Sequence, residues 1–143
     1  KVYVDQPEKS EIKRKGQAIS GDAKAKLVKK AIWLFHNDAF WLLAPQKVMD
    51  PGTERRIVEL EDGKEALLVT YTSGGSSPGD SYLWILNEEG LPMSYKMWVK
   101  IIPVGGLEAS WEDWTESETG LMLPGNHNIM GINLEMTNLK TWN

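Results

Sequence analysis

Residues 55–114 read RRIVELEDGKEALLVTYTSGGSSPGDSYLWILNEEGLPMSYKMWVKIIPVGGLEASWEDW, a run of short apolar and alternating segments parted by turn residues. Ile57 to Leu60 and Ala66 to Tyr71 flank Asp62-Gly63, a pair that suits a two-residue hairpin because both positions tolerate positive φ. That register predicts Val58 and Leu60 on the same face as Leu67, Val69 and Tyr71. The next reversal falls at Asn87-Glu88-Glu89-Gly90, a type I turn with Gly in the left-handed position. It predicts Leu83 and Ile85 beside Met93, Tyr95 and Met97, and leaves Tyr82, Trp84 and Trp98 on the opposite face with Ser94, Lys96 and Lys100. Ser73 to Asp80 is rich in strand-terminating residues and reads as a loop.

Working outward, Leu107, Ala109 and Trp111 alternate with Glu108, Ser110 and Glu112 as in a half-buried strand. Leu121 to Leu123 reads as a short strand, and a last one alternates Met130, Ile132, Leu134 and Met136 against Gly131, Asn133, Glu135 and Thr137. Upstream, Val2 to Val4 is a strand stub, and Ser20 or Asp22 can cap a helix start. Leu27, Val28, Ala31, Ile32, Leu34 and Phe35 follow at helical spacing with Lys26, Lys29, Lys30 and His36 opposite. This predicts one amphipathic helix laid on the sheet by its apolar stripe and interrupted at Asn37-Asp38. The fold class expected is α+β, mainly antiparallel β, in a single domain over residues 1–143.

The 143 residues suffice for one domain with a real core. A 41% hydrophobic and 25% charged composition is that of a soluble globular chain, and no apolar run approaches the ~18 residues of a membrane span. No charged-then-apolar leader opens the sequence, so any targeting peptide has been removed or lies outside it. Zero cysteines exclude disulfides, thiol nucleophiles and thiolate metal sites and leave the compartment open. Residues 1–30 carry nine Lys/Arg against four Asp/Glu, whereas residues 31–143 carry seven against sixteen. The acidic majority argues against a nucleic-acid partner. The basic start fits either a solvated face or contact with an anionic membrane surface.

Chemistry-bearing candidates are few. His36 and His127 show no metal-binding spacing and are expected at a helix end and in a Gly-Asn-rich turn, respectively. The acids Glu108, Glu112, Asp113, Glu116 and Glu118 match no calcium loop, and alternation scatters them over both faces of a strand and its turn. Gly74-Gly75 and Gly105-Gly106 lack the lysine and the strand-to-helix setting of phosphate loops. No catalytic residue, cofactor or metal is expected. Seven Trp and six Met are the one excess that suits an apolar ligand surface, and core filling explains them equally well.

The helix, the link Phe40-Trp41-Leu42-Leu43, the turn Asp50-Pro51-Gly52, the strand Ala66 to Tyr71, the Ser-Pro-Gly-Asp loop leading to Tyr82, Asn87-Glu88-Glu89-Gly90, Trp111-Glu112-Asp113-Trp114 and Gly120 to Pro124 recur in one order. Over roughly Gly21 to Leu134 this resembles the LolA-like superfamily, the periplasmic lipoprotein carriers and their relatives, and most closely uncharacterised Bacteroidota proteins of that fold. The resemblance implies a curved, incompletely closed half-barrel under helical cover, export to the periplasm or outer membrane, and a concave apolar surface for acyl chains. The carriers' lid-controlling arginine finds no matching position, and the usual first helix and first strands are missing, which suggests a trimmed fragment or strands exchanged with another copy.

The function expected first is non-enzymatic carriage of a lipid or lipoprotein acyl chain on Leu83, Ile85, Met93, Tyr95, Met97, Trp111, Met130, Ile132 and Met136. The alternative is an envelope protein–protein or glycan interaction module with no small ligand, in which that set is core and Tyr82, Trp84 and Trp98 form an exposed contact surface. Such a patch also makes a homodimer a reasonable expectation.

Overall fold

The computed structural model describes residues 1–74 and 78–142; the middle of the Ser73–Asp80 loop expected above lies outside them. The fold is α+β: one long helix and a seven-stranded antiparallel sheet that does not close into a barrel. The chain divides into two compact units, Lys1–Phe40 and Trp41–Asn143.

In the first unit, Val2 to Val4 forms no strand. β1 (Ile12–Arg14) and β2 (Gln17–Ile19) make a small hairpin that reverses at Lys15-Gly16, both at positive φ. The helix α1 (Gly21–Leu43) begins in this unit with Asp22 in its first turn, where an acid complements the helix dipole. It runs unbroken through Asn37-Asp38. Both residues are exposed, so their polar side chains stay in water and do not compete for the backbone. Pro45, which has no N–H to extend the α ladder, opens the 3-10 turn Pro45–Lys47 that follows. The expected apolar stripe is split: Val28 is buried, Ala31 and Ile32 are half-buried, and Leu27, Leu34 and Phe35 are exposed.

The second unit holds β3 (Thr53–Glu59), β4 (Glu65–Tyr71), β5 (Ser81–Leu86), β6 (Pro92–Trp98), β7 (Leu107–Ser110), β10 (Asn126–Ile129) and β11 (Ile132–Glu135) in one sheet. Neighbours pair in the order β11-β10-β7-β6-β5-β4-β3, a meander whose one excursion is the separate hairpin of β8 (Thr115–Glu116) and β9 (Met122–Leu123). The expected final strand is corrected in one respect. Met130-Gly131, both at positive φ, form the turn of a two-residue hairpin, so Ile129 faces Ile132 and residues 126–129 are a strand in their own right.

Two registers differ from expectation by one residue, and each slip moves a whole strand's side chains to the other face. At the first hairpin Leu60 N donates to Lys64 O at 2.7 Å, Gly63 N donates to Leu60 O, and Gly63 alone takes positive φ (79°). The loop is therefore a three-residue turn ending in a glycine bulge, and Ile57, not Val58, faces Leu67. At the second, the Asn87–Gly90 turn forms as expected and Asn87 Oδ1 accepts from Glu89 N and Leu91 N. Leu86 pairs with Pro92 but Ile85 pairs with Ser94, leaving Met93 as an extra residue. Beyond that bulge Trp84 faces Tyr95 and Tyr82 faces Met97. The predicted grouping of Leu83 and Ile85 with Tyr95 and Met97 is thereby overturned.

Met130 is 78% exposed, so its side chain contributes little packing while its backbone sits in the left-handed region at φ 52°. That conformation costs a non-glycine residue about 1 kcal/mol and is tolerated best by Asn. Met130→Asn is expected to raise unfolding stability by about 0.5–1 kcal/mol in urea titrations.

Candidate functional site

Residues directly opposite in a ladder share a face, so the registers define the two sides of the sheet. On one side Val69 faces Tyr82, Tyr82 faces Met97, Trp84 faces Tyr95, and Tyr95 faces Ala109, which in turn faces Ile129. The small Ala109 leaves room for the rings beside it. Ring centroids then follow one another from Tyr71 to Tyr82 (5.8 Å), Tyr82 to Tyr95 (5.5 Å), Tyr95 to Trp84 (5.0 Å), Trp84 to Trp111 (5.2 Å) and Trp111 to His127 (4.5 Å). Trp41 closes the row against His127 at 5.2 Å and against Tyr95 at 6.1 Å. All of these pairs are tilted or edge-on, the arrangement the ring quadrupole favours.

This side is core. Tyr95 and His127 have no exposed surface, and Trp84 and Trp111 are each 1% exposed. Burial raises the ionisation of the Tyr82 and Tyr95 phenols far above the usual tyrosine range, with Asp80 adding to the effect at Tyr82, so both stay protonated. His127 lies in β10 rather than in the turn expected of it. Its Nδ1 is 3.0 Å from the Ser110 carbonyl oxygen, which assigns the proton to Nδ1. Burial lowers the His127 pKa, while the backbone of Ser110 and Trp41 and the charge of Glu112 oppose the shift.

The expected sites separate accordingly. Tyr95, Met97 and Trp111, assigned to a ligand surface, lie in the same closed layer as Tyr82 and Trp84, which were assigned to an exposed contact surface. Met93 sits at the bulge, Met130 and Ile132 are exposed around the β10–β11 turn, and Met136 is half-buried beyond β11. Leu83 and Ile85 belong to the opposite face. The nine residues therefore do not line one cavity. A cleft of about 180 Å³ lies elsewhere, between β8–β9 and Leu139 to Thr141, with Glu116, Glu118 and Lys140 among its walls. That is below the ~300 Å³ at which ligand pockets usually begin. Among the described residues no cluster of three or more His, Asp or Glu side chains is placed to hold a metal ion. Glu108 accepts from Ser94 Oγ at 2.9 Å, and the other four acids of the 108–118 stretch are exposed.

The opposite face carries a different set. Leu68 faces Leu83, Leu83 faces Lys96, and Lys96 faces Glu108; alongside, Thr70 faces Ser81, which faces Trp98. Leu68, Leu83 and Ile85 are only half-buried and Trp98 is 43% exposed. Thr70 and Ser81 hydroxyls are hydrogen-bonded at 2.9 Å, and Ser110 Oγ accepts from Asn128 N at 2.8 Å. The result is an apolar strip with a polar margin, ending at an indole. The Trp98 indole lies against Gly105, where an added Cβ would sit 2.6 Å from Trp98 Cδ1. Sequence reasoning missed this strip because it paired Trp98 with Tyr82 and Trp84. Pro92 was the available signal: within sheets proline marks edges, first residues and bulges.

The His127 shift gives a signed expectation. A histidine whose folded pKa is depressed supports folding fully above its unfolded value, 6.5, and loses that support as pH falls below it towards the folded value. Stability should drop by up to about 1.4 kcal/mol per pH unit in that window. Urea titrations at several pH values should show His127→Gln without this slope. Gly105→Ala is expected to displace the Trp98 indole and shift its fluorescence while the far-ultraviolet circular dichroism is unchanged.

Compared with family models, curated proteins and solved structures, the chain has no significant match.

Proposed function

We propose that this protein is a non-enzymatic interaction module that docks a protein partner on the strip formed by Leu68, Leu83, Ile85 and Trp98. The observation that carries this reading is the contrast between the two faces of one sheet. One is a closed aromatic layer, and the other keeps leucine, isoleucine and tryptophan side chains partly in water beside Lys96 and Glu108. A contiguous apolar strip with a polar rim is the ordinary anatomy of a protein contact, and tryptophan is over-represented among residues that dominate binding energy. An envelope setting, periplasmic or associated with the outer membrane, enters the proposal through the LolA-like resemblance and is checked by fractionating the producing cell. Among the described residues no helix is long and apolar enough to cross a membrane.

Carriage of a lipid or lipoprotein acyl chain is the second reading. It draws support from the same resemblance and from Met93, Met130 and Ile132, whose adaptable apolar side chains are all at least half exposed. For Tyr95, Met97 and Trp111 to take part, the aromatic layer would have to open.

A photo-reactive residue at position 98 should form partner adducts in the producing cell, and one at the buried position 84 should not. Leu83→Lys should abolish those adducts while the melting temperature changes by only a few degrees. Native mass spectra before and after organic extraction should show no lipid adduct. A retained species of lipid mass, together with absent adducts at position 98, would transfer the assignment to lipid carriage.

A further inference from the structure

β3 is one margin of the seven-stranded sheet, pairing with β4 alone. Hydrogen-bonded and non-bonded pairs alternate along an antiparallel ladder, and the Leu60 N to Lys64 O bond fixes the phase. Glu54, Arg56 and Val58 therefore exchange bonds with β4, whereas Arg55, Ile57 and Glu59 turn their N–H and C=O groups away from it. All three of these side chains are exposed, and Ile57 is 63% exposed. An unpaired margin carrying an exposed β-branched residue is a template for strand addition unless something blocks it.

The charges flanking Ile57 are opposite in sign and equally spaced, Arg55 two residues before and Glu59 two residues after. On a twofold axis through Ile57, an antiparallel second β3 sets Ile57 against Ile57 and Arg55 against Glu59 at both ends, with the outward N–H and C=O groups in phase. Moving the axis by one residue, to Arg56 or Val58, sets outward-facing backbone groups against inward-facing ones, and moving it by two, to Arg55 or Glu59, brings that charge against its own copy. Backbone phase and charge together thus favour one register over its nearest competitors. Arg55 is also held along the margin, its Nη1 donating to Val48 O at 2.9 Å and to Thr53 Oγ1 at 2.6 Å, and the remaining guanidinium donors can meet a carboxylate.

We propose that the β3 margin is a homodimer joint, where a second copy of this chain pairs antiparallel about Ile57 and extends the sheet from one molecule into the next. The joint is separate from the face proposed to dock a partner. Sedimentation velocity across a concentration series reaching millimolar should show a monomer–dimer equilibrium. Arg55→Glu and Glu59→Arg should each weaken it at least about tenfold, because each sets like charges face to face twice. Mixing the two variants should restore dimerisation, since the mixed pair again opposes unlike charges, and circular dichroism should show both variants folded. A wild-type chain that stays monomeric throughout overturns the proposal. So does a dimer indifferent to both reversals, or a mixture that associates no better than either variant alone.

Discussion

The extra residue at Met93 decides which half of the side chains of β5 enters the core. Without it Leu83 and Ile85 would face Tyr95 and Met97, and Tyr82 and Trp84 would stand in water. With it, Trp84 meets Tyr95 and Trp111, and the ring contacts continue to His127 and Trp41. Each aromatic pair adds about 0.5–1.5 kcal/mol beyond the area it buries, a large share of a typical domain stability of about 5–15 kcal/mol. The bulge thus selects the core, and by exclusion it selects the exposed strip.

The order of strands was legible in the sequence because turn residues punctuate it. Asn87 to Gly90 forms the expected turn, Leu107, Ala109 and Trp111 alternate as expected, and the open antiparallel sheet with one helix follows. The faces were harder to read. Asp62-Gly63 looked like a two-residue loop, but the chain adds Glu61 to the turn and lets Gly63 alone take the left-handed conformation. At β6 the apolar pattern of Pro92, Met93, Tyr95 and Met97 is compatible with either parity, and only a backbone bulge distinguishes them. Helix continuity through Asn37-Asp38 was missed for a related reason: propensity is a weak prior where neither glycine nor proline forces a stop.

The candidate site inherits both errors. Seven tryptophans suit a ligand surface and core filling equally, and Trp84 and Trp111, among the most deeply buried residues described, fill the core. Their large rings fill the space above a short strand that contributes Ala109. Trp98, the residue next to Met97, points the other way because alternation resumes after the bulge. Indole count therefore carried no directional information, whereas position relative to Pro92 did.

The unbroken ring-to-ring contact also makes the aromatic layer an optical object. Indoles and phenols 5–6 Å apart in a fixed, chiral arrangement couple electronically, so the near-ultraviolet spectrum of this protein reports the geometry of the entire layer at once. A loosening anywhere along the row would register as a change in one composite band, with no label attached and no residue replaced.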